Sequence, residues 1–451
     1  MGVLIIWSFI FIVYGPPPFW SDMAPRIVLV GAGSYEFGYN SVLDAVNLEP
    51  LRGSNLVLHD INPGRLGVMG PLAKRMAMET GSDMEVEWTS DREEALSGAD
   101  FVVISIAVDR MNRWRMDWEI PFRHGIRQVI GENGGPGGLF QTLRNVPPIL
   151  AICADMEGLC PHAILFNYTN PVPRLCLAIE RHTDVKAVGL CHEVEYQMGR
   201  LAEVVGIPAS LLDAVSAGLN HFSWFMRLRL TNGENAYPML DLGLKKMERT
   251  FQPLCRAMYD KFGLYPSTDD NHLGEYLAYA WDVCPQESRG FNWIDRMERS
   301  GAERWMRVKR LAEGEEPLDV RGRLSGERVM HIISGIVSNS RHLEYQVNMP
   351  NEGQVGNLIA GAIVESPAIV DGGGVHPIQV GDLPEGLAAL CNIQILVQEL
   401  AVEAAVSGDR ELALQAVLSD PVVQDLEAGR KAFEELMLAH ADLLPQFGGE
   451  T

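Results

Sequence analysis

The sequence predicts an α/β protein: a doubly wound parallel sheet followed by a second, mixed α+β domain. Three observations predict it. The first is Arg26-Ile27-Val28-Leu29-Val30-Gly31-Ala32-Gly33-Ser34, an aliphatic run feeding into a glycine turn, after which apolar periodicity resumes through Val42, Leu43, Ala45 and Val46. A strand, a Gly-x-Gly turn and a helix make the first unit of a dinucleotide-binding, Rossmann-type fold. The second is the alternation of strand and helix patterns that continues as far as Leu190. The third is a change of character beyond Met226, where helical patterns dominate and a Gly/Pro-rich segment covers residues 350–384.

Within the first unit, Gly31 permits the tight turn, and Gly33 lets the backbone approach a pyrophosphate at the helix N-terminus. The second strand, Leu56-Val57-Leu58-His59, ends in Asp60, an acidic residue suited to the ribose hydroxyls of NAD. The motif's third glycine is displaced: Glu36 holds its position and Gly38 follows two residues on. The competing explanation of these glycines is backbone geometry alone.

The remaining elements follow in order. A turn at 61–65 leads into a helix over 66–78, and residues 84–88 alternate as a strand. Asp91 caps a short helix, and 101–106 read as a buried parallel strand. The segment 131–138 is the most glycine-dense stretch; helical sequence follows from 139 to 156, with a break or kink at Pro147-Pro148. Its amides either cradle a ligand or make a flexible connection. The strand over 163–170 ends in Asn167 and Asn170, beyond a carboxyl end where ligands sit, or else these amides cap the helix over 172–181. The strand at 185–190 delivers Cys191-His192-Glu193, and 219–224 is again strand-like. Helices are expected over 240–251, 303–311 and 387–406, with an edge strand at 342–348. The domains are therefore 23–215 for the dinucleotide and 216–451 for substrate, metal and oligomerisation.

Of 451 residues, 47% are apolar, enough for two domains that share an interface. The formal charge of −22, with no offsetting basic stripe, excludes a nucleic-acid backbone as the main partner. Seven scattered cysteines do not form a disulfide framework and point to a reducing, cytoplasmic compartment. Residues 1–22 are an extension of doubtful relevance. Their apolar run is too short to span a bilayer and lacks a charged n-region or clear cleavage site, and Met23 is the natural beginning. No membrane partner is expected.

Cys191, His192 and His221 are the candidate metal set. One thiolate with one or two imidazoles leaves positions open for substrate oxygens and water. The plainer reading is a core thiol and satisfied polar histidines. The stretch from Tyr265 to His272, followed by Gly274-Glu275-Tyr276, offers a carboxylate, phenol or imidazole as general base, or simply a capped loop leading into a helix from Leu273.

Taken together, Val30-Gly31-Ala32-Gly33-Ser34, Gly135-Pro136-Gly137-Gly138, Asn167-Tyr168-Thr169-Asn170-Pro171, Gly189-Leu190-Cys191-His192 and Gly218-Leu219-Asn220-His221 resemble five motifs of glycoside hydrolase family 4, in chain order. Val347-Asn348-Met349-Pro350-Asn351-Glu352-Gly353 and Val364-Glu365-Ser366-Pro367 resemble the family too. The resemblance implies a glycosidase that needs NAD and a divalent metal, typically manganese, outside the two-carboxylate scheme. NAD takes a hydride from carbon 3 of the sugar, a base removes the proton on carbon 2, the glycosidic oxygen leaves by elimination, water adds, and the hydride returns. Carried over by residue, Cys191 and His221 match the metal ligands, and Gly31, Gly33, Ser34, Asp60 and Asn167 the cofactor site. Asn170 matches a substrate-binding amide, with His192 and Asn133 on the substrate side. Asp270 matches the base position, with Tyr265 and His272 as competitors. Members acting on phosphorylated sugars tend to follow the metal Cys with Asp or Asn; here His192-Glu193-Val194 follows, which implies an unphosphorylated hexoside or uronide. A homodimer or homotetramer is also implied. The alternative enzyme is a lactate/malate-type dehydrogenase, which shares the fold, makes net NADH and does not need Cys191.

Overall fold

The computed structural model describes residues 24–283 and 291–448; the extension 1–22 lies outside the described residues. An eleven-stranded sheet organises them. Its strands are β1 (Arg26–Val30), β2 (Asn55–His59), β3 (Glu85–Thr89), β4 (Phe101–Ile104), β5 (Ile164–Asn167), β6 (Lys186–Gly189), β7 (Leu212–Leu219), β8 (Phe222–Leu230), β9 (His342–Pro350), β10 (Ile363–Asp371) and β11 (Gly374–Pro377).

The first six strands pair in parallel in the order 3-2-1-4-5-6, as a doubly wound dinucleotide fold requires. All four residues of β4 are buried, because helices cover both faces of a parallel sheet. The sheet then continues, antiparallel, into the second half: β6 meets β9 at Gly189 and Asn348, and β10 meets β7 at Glu365 and Gly218. Residue 215, the expected domain limit, lies inside β7, so backbone pairing runs through both halves.

Five local expectations need correction. The helix expected over 240–251 is Tyr237–Leu244, and the edge strand expected at 342–348 is β9, an interior strand between β6 and β10 that joins the two halves of the sheet. The strand expected over 219–224 is a hairpin: Leu219 pairs with Phe222, and Asn220 and His221 form the turn between β7 and β8. The helix Gly135–Leu159 runs through Pro147 and Pro148 without a break. Pro147 cannot donate to the Leu143 carbonyl, and Gln446 Nε2 fills that acceptor at 2.8 Å. The helix expected over 303–311 spans Phe291–Glu313.

The displaced glycine also has its explanation. Gly38 lies in the first turn of the helix Phe37–Asn47, where an added Cβ would stand 2.2 Å from the Ala32 carbonyl oxygen. It therefore supplies the close approach of helix to turn that the motif's third glycine provides.

Candidate active site

The carboxyl ends of β1, β2, β4, β5 and β6 share one edge of the sheet, and the predicted site residues emerge there. After β1, the amides of Gly31 and Ala32 both donate to the His59 carbonyl, at 2.9 and 3.0 Å, docking the turn on β2. Gly31 has φ +88°, and a Cβ there would stand 2.1 Å from the Ser105 carbonyl oxygen; only glycine fits. Asp60 accepts from the amides of Gly33 (2.8 Å) and Asn62 (2.9 Å), so its carboxylate ties the turn after β1 to the end of β2. Ser34 Oγ accepts from the Glu36 amide. Asn167 is fully buried and hydrogen-bonds the backbone of Thr169 in both directions, shaping the loop after β5. Asn170 follows in that loop, half-buried, its carbonyl accepting from Asn145 Nδ2.

Cys191 and His221 come together. Cys191 leaves the end of β6, and His221 takes the left-handed position (φ +62°) of the β7–β8 turn, which brings Nε2 to 3.2 Å from Sγ. Burial, then the charges of Glu193 and Glu365, push the Cys191 thiol well above its usual range. Burial, then the neighbouring His272 and His192, hold His221 well below the usual imidazole range. The turn is anchored from beneath by buried Glu365, which accepts from Asn220 Nδ2 at 3.0 Å and Ser223 Oγ at 2.8 Å. Burial lifts the Glu365 carboxyl to about 7 against these hydrogen bonds.

His272 joins this pair, its ring stacked on that of His221 with centroids 3.9 Å apart. Its Nδ1 meets Glu275 Oε1 at 3.1 Å. Burial opposes its charge, but the bond to Glu275 and the charges of Glu193 and Asp269 win and raise it to about 10. His221, His272 and Glu275 place ligand atoms within 4.8 Å of one another, but the His272 ring and both Glu275 oxygens are engaged with each other and with the loop at 132–133, which leaves Cys191 and His221 as the candidate cation pair.

Several amides of the glycine loop are taken up within the chain itself. The amides of Glu132 and Asn133 donate to Glu275 Oε2 at 2.6 and 2.5 Å, and Asn133 Nδ2 donates to Oε1 at 3.0 Å. The Gly135 amide goes to Asp420 and that of Gly137 to Gln128. Loop amides thus grip the chain's own carboxylates and fix Glu275 behind His272. Asn133 is spent in this way, though its Oδ1 stays buried without a partner.

Two of the three candidate bases serve the framework. Both oxygens of Asp270 accept backbone amides, from Leu254 and Cys255, at the start of the helix Pro253–Phe262. The Tyr265 hydroxyl, wholly buried, donates to Gln252 Oε1 at 2.8 Å; burial and nearby Cys255 and Asp270 raise its phenol. His192 opens the helix Glu193–Val205, with Nδ1 3.6 Å from Glu327. Sequence reasoning gave Glu193, Glu275 and Glu365 no specific role beyond membership of quoted motifs and of the titratable stretch after Tyr265, and it gave Glu327 none. For Glu327 the sequence carried no signal, and the partners that give Glu193, Glu275 and Glu365 their place, apart from His272 beside Glu275, lie far along the chain.

The family 4 glycosyl hydrolase model matches residues 26–207, and the model of that family's C-terminal domain matches 216–423. The chain belongs to glycosyl hydrolase family 4. As a family 4 enzyme it is a glycosidase, which decides against the dehydrogenase alternative. An alpha-glucosidase of Erwinia rhapontici is 37% identical over 445 residues, covering 89% of this chain and 94% of its own. Among solved structures, lplD of Bacillus subtilis, named a glucosidase, is 27% identical with TM-score 0.83 and covers 91% of this family 4 chain and 99% of that one. A 6-phospho-alpha-glucosidase from gut microorganisms, solved in complex with NAD and Mn2+, shares the fold at TM-score 0.82 and 21% identity, covering 94% and 99% of the two chains.

Proposed function

We propose that this family 4 enzyme hydrolyses an unphosphorylated α-hexoside, an α-glucoside first, by NAD-mediated oxidation at carbon 3 and elimination, with a divalent cation, most simply manganese. The observation that carries the reading is Cys191 Sγ at 3.2 Å from His221 Nε2, on the sheet edge that also holds the glycine turn. The residues fit both groups. A buried thiol pushed up by desolvation ionises readily only against a cation, and a sulfur–nitrogen pair suits a divalent transition metal. His221 Nδ1 and Asn220 Oδ1 are buried beside it without partners. At the cofactor end, Gly31 and Gly33 leave backbone open to a pyrophosphate, and Asp60 suits a ribose diol.

When bound, NAD would supply the hydride acceptor for carbon 3, and the cation would supply positive charge to stabilise the negative charge that develops on the sugar. Cys191 and His221 would hold that cation. Asn170 is assigned to a sugar hydroxyl. Of the three base candidates we keep His272, held charged by Glu275, as the donor of the proton to the departing oxygen, and leave the carbon 2 proton to the neighbouring Glu193 carboxylate. Glu193 is buried, and burial raises its carboxyl. Asp270 and Tyr265 are assigned to support.

Charge supports a neutral sugar. Glu193, Asp269, Glu275 and Glu327 ring His192 and His272. The nearby guanidinium of Arg110 is paired with Glu132, and that of Arg328 with Glu344 and Glu195. A C6 phosphate or carboxylate would meet this acidic ring. The name of the 37%-identical Erwinia relative supports an α-glucoside.

Among the described residues only the helix Glu385–Ser407 is long and apolar enough to cross a membrane, and it packs against the helices Gly135–Leu159 and Val172–His182. We keep a cytoplasmic, homodimeric or homotetrameric enzyme as part of the proposal; exposed Ile393 and Leu396 on that helix support association.

The test is hydrolysis of nitrophenyl α-glucoside, α-galactoside and α-galacturonide, and of a 6-phosphorylated α-glucoside, with NAD and manganese omitted in turn. Cleavage of the neutral α-glucoside that needs both, without net NADH, supports the reading. Preference for the phosphorylated or uronic substrate overturns the specificity, and cleavage without NAD overturns the mechanism.

A further inference from the structure

The ligand crevice of an open α/β sheet lies beyond the carboxyl ends of its strands. The helix Phe291–Glu313, from the second half of the chain, runs across those ends. Near its start Asp295 accepts from Arg115, at 2.7 Å, on the helix that follows β4. Further along, Gly301 packs against Tyr35, in the turn after β1; a Cβ at 301 would stand 2.5 Å from the Tyr35 hydroxyl. Arg304 pairs with Glu36 of the same turn at 2.6 Å. The indole of Trp305 receives the Arg65 guanidinium 4.5 Å from its ring centroid. Arg65 sits in the first turn of the helix after β2 and donates to the Gly33 carbonyl at 2.9 Å. At the far end the Leu311 carbonyl accepts from Arg75 at 2.7 Å.

Contacts along this helix therefore follow β4, β1 and β2, the spatial order of those strands in the sheet. The helix touches the turn after β1 and the helices that follow β2 and β4, and its indole lies on the guanidinium next to Gly33 and Asp60.

We propose that the helix Phe291–Glu313 is the roof of the dinucleotide site and that the Trp305–Arg65 stack retains the cofactor from one turnover to the next. The proposal rests on the NAD-dependent reading above. In that reaction the hydride taken from carbon 3 is returned to the sugar, so NAD ends each cycle as it began and has no need to leave. Slow release is then compatible with fast turnover, which it is not for a dehydrogenase that must exchange NADH for NAD every cycle.

The experiment is the release rate of bound NADH, read as loss of its enhanced fluorescence on mixing the full-length enzyme with excess NAD. Trp305→Ala is expected to release it at least tenfold faster, and Trp305→Phe, which keeps an aromatic face, to stay near wild type. Arg304 is more than half exposed, so Arg304→Glu breaks the pair with Glu36 without touching the core and carries the test if Trp305→Ala does not fold. It too should speed release, and adding Glu36→Arg should slow it again. Release rates of Trp305→Ala and Arg304→Glu within twofold of wild type overturn the roof. A wild-type enzyme that binds neither NAD nor NADH overturns the NAD-dependent reading itself.

Discussion

Replacing Glu275 by alanine tests the central contact of the site. The side chain is fully buried, and its two oxygens take the amides of Glu132 and Asn133, Asn133 Nδ2 and the ring of His272. Alanine leaves these donors, and the Gly134 amide that also reaches Oε2 at 3.4 Å, facing a hole. A buried donor without a partner costs about 1–3 kcal/mol, and water entering the space would satisfy some of them. Breaking a buried charge pair costs about 3–5 kcal/mol, because the surviving partner stays desolvated. Neither figure adds fully to the other, since the donors share one acceptor, so we expect a loss of about 3–5 kcal/mol. Glu275→Gln keeps the shape and one acceptor oxygen but turns an NH2 toward amide donors, and should lose about 1–3 kcal/mol. The assay is urea denaturation of the metal-free proteins at pH 7 followed by tryptophan fluorescence, comparing midpoints at equal m-values. A Glu275→Ala midpoint equal to wild type would refute the claim that this carboxylate anchors the glycine loop.

Other consequences follow from the same geometry. Gly31→Ala places a Cβ on the Ser105 carbonyl at φ +88°, so NAD affinity in calorimetric titration should fall more than tenfold; an unchanged affinity would remove the turn from the cofactor site. Cys191→Ser and His221→Ala should each weaken Mn2+ binding at least tenfold, read from the free-ion electron paramagnetic resonance signal, with NAD affinity retained. Glu365 is held at about 7 against an ordinary 4.5, so the folded chain keeps a proton that the unfolded chain gives up. Its contribution to stability therefore falls as pH rises from 4.5 through 7, and Glu365→Gln should flatten the melting temperature of the metal-free protein across that window. An unchanged slope would show that the carboxyl titrates normally.

Local sequence determined a good deal of this molecule. The Gly-x-Gly turn, the acid at the end of β2 and the buried runs of β4 and β5 are decided by neighbouring residues: backbone freedom at glycine and continuous apolar stretches in a covered parallel sheet. Cys191 and Asn170 were legible as candidate site residues for a related reason. A parallel sheet sends all its carboxyl ends to one edge, so a polar residue just past a strand already has an address. What lay beyond the sequence depends on partners far apart in the chain. Pro147 and Pro148 read as a break, but the acceptor Pro147 leaves open is filled by Gln446. Asp270 and Tyr265 had the right chemistry for a base, and only packing showed their polar atoms already bonded to Leu254, Cys255 and Gln252. The glycine loop read as either a ligand cradle or a flexible connection, and only the fold shows its amides at 132–133 bonded to Glu275. The crossing of the helix Phe291–Glu313 over the cofactor edge is of the same kind. A hydrogen bond or a stacked pair between distant residues leaves no periodicity in either segment, so tertiary structure alone decides which polar groups are spent on the fold and which are left for chemistry.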